Sequence, residues 1–127
     1  MRIIGLLVLI MVIVAGCNTN APSSIAFEDV PTEGDPVHGE QLFNTGTNPP
    51  CLACHNDEST GTPNLDGLGE RAGDIVEGES AEEYIFYSIT EPARHIAEGF
   101  GNAMPNTYDE DLNAQDIADL IAYLLSR

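Results

Sequence analysis

Residues 51–55 read Cys51-Leu52-Ala53-Cys54-His55, and no other stretch restricts what this chain can fold into so strongly. Two thiols three residues apart on one turn project to the same side. They can reach both vinyl groups of a single haem, while the next residue brings an imidazole nitrogen beneath the iron. On that reading the chain has to wrap itself around a large, flat, mostly apolar group. Two other readings compete. A zinc site needs about four ligands, and here only His38 and His95 could complete one. A thioredoxin-like dithiol would sit near a βαβ unit, and none is visible. With 127 residues the chain makes one domain. A domain this small gains only marginal stability from its own apolar burial, so a buried cofactor is a plausible part of its core.

The chain opens with Met1-Arg2 and an uncharged apolar run from Ile3 to Ala15, ending in Val14-Ala15-Gly16-Cys17. The run is shorter than the ~20 apolar residues a spanning helix needs, and a charged start with small residues at its end is a processing pattern. Val14-Ala15-Gly16-Cys17 resembles the bacterial lipobox. Residues 1–16 are therefore expected to be a signal peptide and Cys17 a lipidated N-terminus. Acyl chains on Cys17 would hold the domain at a membrane surface without a spanning helix, in the periplasm or on the outer cell surface. The odd cysteine count is then accounted for: one takes lipid and two remain as a pair.

Charge narrows the choice of partner. There are 21 acidic residues against four basic ones, and beyond the signal only Arg71, Arg94 and Arg127 are cationic. Nucleic acid is excluded as a partner for want of clustered cations. A redox protein with a basic docking face fits, with salt-sensitive association.

Residues 17–34 are rich in Ser, Thr, Asn, Pro and acid, and apart from Ile25-Ala26-Phe27 they show no period; a flexible acidic tether is expected. Its extended reach would be roughly 50 Å at ~3.3 Å per residue. The folded domain, residues 35–127, begins where Asp35 can cap a short helix with Pro36 in its first turn. Residues 56–78 carry many glycines and read as a long loop. Ser80-Ala81-Glu82-Glu83 is a capping box for a helix through Tyr84, Ile85, Ser88 and Ile89, which Pro92 ends. A second loop runs from Glu98 to Tyr108. Asn113 caps a final helix whose Ile117, Leu120, Ile121, Leu124 and Leu125 recur at helical spacing. No strand candidate appears, so the expected fold class is all-α with long loops.

The iron's sixth position needs a ligand or stays open. Met104 is the one methionine outside the signal, and it lies in Gly101-Asn102-Ala103-Met104-Pro105, a loop that can be laid across a haem face. His95 and His38 are the alternatives. A thioether opposite an imidazole favours the reduced iron and fills its coordination sphere, which suits a carrier better than an oxygenase or peroxidase.

With these residues in view, the chain resembles the class I monohaem c-type cytochromes from about Pro36 to Leu125. Three stretches carry the resemblance besides residues 51–55. Gly61-Thr62-Pro63 through Gly69-Glu70-Arg71 looks like the family's proline loop. The resemblance implies that the Pro63 carbonyl accepts a hydrogen bond from His55 and that Arg71 meets a haem propionate. Thr62 stands where the family usually has Gly. Tyr84 to Met104-Pro105 is similar to haem domains fused to the second subunit of some terminal oxidases. Gly39 and Phe43 with Leu120 and Tyr123 look like the family's crossing of first and last helices.

The expected function is a tethered electron carrier with one covalent haem c, working with partners such as a terminal oxidase or a quinol-oxidising complex. Such a protein would be a monomer unless it is part of a complex. The rivals are a permanently docked subunit of a respiratory or photosynthetic complex, and a peroxidase-like or gas-binding haem protein.

Overall fold

A computed structural model describes residues 23–127; the expected signal peptide and Cys17 lie outside them. Five α-helices follow one another: α1 (Pro36–Gln41), α2 (Leu68–Arg71), α3 (Ala81–Thr90), α4 (Tyr108–Asp111) and α5 (Ala114–Leu125). Short 3-10 turns at Phe27–Asp29, Cys51–Ala53 and Ala72–Asp74 and a wide turn at Leu42–Gly46 complete the order. The described residues contain no strand. None of their helices is long and apolar enough to cross a membrane.

The caps explain where the helices begin. Asp35 accepts the backbone N–H groups of Val37 and His38. Ser80 with Glu83, and Asn113 with Asp116, form reciprocal capping boxes at α3 and α5, satisfying N–H groups that a helix start leaves unpaired.

α5 is the spine. Its Ile117, Leu120, Ile121 and Leu124 are buried because their spacing sets them on one stripe. Three glycines let other segments touch its backbone. A Cβ at Gly34, Gly39 or Gly69 would overlap the carbonyl oxygen of Ala118, Asp119 or Leu125, respectively. α1 crosses α5 at Gly39, and the rings of Phe43 and Tyr123 meet beside the crossing with centroids 5.4 Å apart.

The expected flexible tether is corrected over residues 23–34, which lie on the domain. Ile25, Phe27 and Val30 pack on the core, and Phe27 meets the buried Phe86 ring at 5.4 Å. The Ser24 backbone N–H donates to Asp109 at 3.0 Å. The reason is the apolar cluster itself: Phe27 and its neighbours remove apolar surface from water that a solvated linker would leave exposed. The loop expected over residues 56–78 holds α2 and its 3-10 extension, started by Gly67 in the left-handed region at φ 67°, which costs glycine no Cβ clash. The helix α4, likewise, starts where the second expected loop ends.

Asp119 is buried at 3% exposure and is fully engaged. It accepts from the Asp35 backbone N–H at 2.7 Å, from His38 Nδ1 at 2.7 Å and from Gln115 Nε2 at 2.9 Å. Burial pushes its carboxyl up, but the donors from His38, Asp35 and Gln115 outweigh that, and the net direction is down. The hydrogen bond to Asp119 lifts His38 above its ordinary range, against a smaller opposing effect of burial. The Asp119 contribution to stability is present above the ordinary carboxylate range and lost as pH falls through its lowered value. The His38 contribution is present below the ordinary imidazole range and lost as pH rises through its raised value. Stability from this pair is therefore expected to be greatest between about pH 4 and about pH 6.5. Asp119→Ala should cost about 1–2 kcal/mol by removing the hydrogen bonds that this buried carboxylate accepts from partners which water can otherwise satisfy, and should flatten that pH profile in urea unfolding.

Candidate cofactor site

Pro50 leads into a single turn in which Ala53 N–H donates to Pro50 O at 3.0 Å, Cys54 N–H to Cys51 O at 3.2 Å and His55 N–H to Cys51 O at 2.8 Å. Residues three and four apart share a side of such a turn, so Cys51, Cys54 and His55 all line one cleft. Both cysteines are free thiols. The Asn56 side-chain amide donates to the Leu52 and Ala53 carbonyls at 3.3 Å each, closing the turn.

The approach to the turn is fixed by residues that the sequence did not single out. Thr47 Oγ1 donates to the Pro49 carbonyl at 3.1 Å and lies 3.5 Å from Cys51 Sγ. The buried Tyr108 hydroxyl donates to the same carbonyl at 3.0 Å. Tyr108 was legible only as the end of a loop, because its partner lies far away in the chain.

The cleft encloses about 1270 Å³ including its open mouth. Phe43, Ile85, Ile89, Leu120 and Leu124 from three elements give it apolar walls. Met104 and its loop line the same cleft as His55, and Met104 also packs against the core. His95 lines it too, with its ring edge-on to Tyr84 at 5.8 Å. His38 does not, being held by Asp119.

His55 Nδ1 lies 3.3 Å from the Pro63 carbonyl oxygen. A carbonyl can only accept, so Nδ1 carries the proton and Nε2 keeps a free lone pair. Burial lowers the His55 pKa and so holds the ring in that neutral, ligating form. Burial likewise pushes the Cys51 thiol up.

Arg71 is placed differently from the other expected site residues. Its guanidinium donates to the Asn64 carbonyl at 2.6 Å and the Asp66 carbonyl at 2.5 Å. It lines an adjoining cavity with Tyr84 and His95, away from the thiols. The guanidinium thus holds the proline loop in shape.

The donor set fits a covalent haem: two free thiols on one turn, a ring nitrogen with its lone pair available, a thioether in the same cleft, and apolar walls for a flat ring. Among the described residues no group of three or more His, Cys, Asp or Glu converges to hold a metal ion, as a zinc site would require. Residues 37–127 match the family model described as Cytochrome c. No curated protein matches the chain.

Proposed function

The chain belongs to the cytochrome c family, and we propose that it is a lipid-anchored, monohaem electron carrier serving redox partners at a bacterial membrane. Its covalently bound haem c supplies one-electron iron chemistry. The observation that carries the proposal is that His55, with its Nδ1–H turned to Pro63 and its Nε2 lone pair available, shares one apolar cleft with Met104.

His55 is read as the permanent nitrogen ligand and Met104 as the sulfur ligand. With both positions taken, the iron can change charge without changing ligands, and no open position remains for a substrate. The apolar walls from Phe43, Ile85 and Leu120 keep water from the site, which limits the solvent reorganisation that accompanies electron transfer. Arg71, fixed on the Asn64 and Asp66 carbonyls, would keep the loop that carries Pro63 in shape.

The anchor and partners follow from sequence and charge. Lipid on Cys17 would hold the domain at the periplasmic or outer surface. Because residues 23–34 are packed on the domain, covalent geometry limits the chain from Cys17 to Ser23 to a span of about 20 Å. That short reach favours a partner held in the same membrane, such as a terminal oxidase or a quinol-oxidising complex. The three arginines beyond residue 22 do little to offset the surrounding acid. Arg94 pairs with Glu79 at 2.7 Å and Arg127 with Asp66 at 3.1 Å, so a basic face on the partner is the complementary surface.

The experiment is an optical spectrum of oxidised parent protein beside Met104→Ala. The parent should be low-spin with a weak far-red sulfur-to-iron band. In the variant that band should vanish and the midpoint potential should fall by on the order of 100 mV or more, part of the ~0.8 V that axial ligands span. An unchanged band would remove Met104 from the iron.

A further inference from the structure

Thr62 occupies a position where the family resemblance leads one to expect glycine, and its side chain is not idle. Its hydroxyl donates to the Cys54 carbonyl at 2.7 Å and lies 3.0 Å from Ser59 Oγ. The next residue on each side makes the neighbouring contact: His55 Nδ1–H donates to the Pro63 carbonyl at 3.3 Å. Two consecutive residues of the attachment turn are thus tied to two consecutive residues of the proline loop.

Beyond Pro63 the loop is anchored by Leu65 packing on the core and by Arg127 on Asp66, but before Pro63 Thr62 makes the side-chain tie to the attachment turn. Pro63 has no N–H to donate, and Gly61 has open space where a side chain would be. On the far flank Arg71 grips the Asn64 carbonyl at 2.6 Å. The Pro63 carbonyl is therefore bracketed by two side-chain clamps, Thr62 before it and Arg71 after it. Its contact to His55 stands at the long end of the hydrogen-bond range, where a small displacement of the loop weakens it sharply.

We propose that Thr62 is a positioning residue that sets the donor strength of His55 by clamping the Pro63 carbonyl against the imidazole Nδ1–H. The physical link is direct. A hydrogen bond from Nδ1–H raises the basicity of Nε2, and a stronger nitrogen donor favours the oxidised iron. Loosening the clamp weakens the bond and raises the potential. Glycine at this position could not supply the clamp; serine could.

The proposal rests on His55 being the iron's nitrogen ligand, and a low-spin spectrum in each variant checks that reading separately. Thr62→Val preserves shape and removes the hydroxyl. In holoprotein it should raise the midpoint potential and speed solvent exchange of the His55 Nδ1 proton, followed by NMR of the reduced form, by about tenfold, the factor one lost hydrogen bond corresponds to. Thr62→Ser should restore both to parent values. A folded, low-spin Thr62→Val with parent potential and parent exchange would overturn the proposal, as would a serine variant that behaves like the valine one. If the valine variant yields no folded holoprotein, Thr62→Ala takes its place: a raised potential and faster exchange that serine restores support the clamp, and parent values in a folded, low-spin alanine variant overturn it.

Discussion

With Cys51 and Cys54 both replaced by alanine, the chain should purify without covalent pigment and show no cooperative unfolding transition in urea. The cleft draws its walls from elements distant in sequence: Phe43 after α1, Ile85 and Ile89 on α3, Leu120 and Leu124 on α5. These side chains belong to one packed core cluster and also line the cleft that would hold the cofactor. A described region of this size has little stability to spare, since small domains stand only about 5–15 kcal/mol above the unfolded chain. Loss of attachment removes a shared packing partner from three elements at once. Circular dichroism should show reduced helix content with a broad melt. A double variant that unfolds as sharply as the parent would mean that the helices hold themselves together without the group they enclose.

Gly39→Ala should be strongly destabilising, against the usual sign of that substitution. In a helix interior alanine is ordinarily favoured over glycine by about 1 kcal/mol. Here the added Cβ would overlap the Asp119 carbonyl and would lie 2.8 Å from Tyr123 Cβ. Neither atom is the end of a flexible side chain, so α1 has to lift from α5. That movement strains two further contacts at the same crossing, His38 to Asp119 at 2.7 Å and the Phe43–Tyr123 ring pair. Overpacking of this kind costs roughly 1–3 kcal/mol, and with the coupled contacts about 3 kcal/mol or more is expected from the shift in denaturant midpoint. A variant as stable as the parent would show that the helices cross with room to spare.

What could be read from the sequence was the local structure. Asp35, Ser80 and Asn113 signal their helix starts because a cap acts within three residues, and α5 announces its buried stripe because its apolar residues repeat. The motif at 51–55 is legible for the same reason, since its chemistry is complete within five residues. The contacts that escaped are those joining distant residues. Tyr108 reaches the Pro49 carbonyl across 59 positions, and His38 reaches Asp119 across 81. Residues 23–34 looked like a linker because Ile25, Phe27 and Val30 sustain no helical or alternating period; the core, with Phe86 meeting Phe27, gives them a place to pack, and Gly34 lies against the backbone of α5. α2 is four residues long and rests on α5 through Gly69, so no sequence period announces it. Thr62 read as a departure from a pattern, and its partner, the Cys54 carbonyl, becomes visible only once the loop has folded back on the turn.

Electron carriage by this chain depends above all on Cys51 and Cys54 being bonded to the cofactor. Protein made in a host competent in cytochrome maturation can be precipitated in acidified acetone, which extracts haem held by iron ligands alone. The colour should stay with the polypeptide, and a proteolytic fragment containing residues 51–55 should exceed its sequence mass by one haem. Colour that passes entirely into the solvent, leaving two titratable thiols behind, would contradict the account.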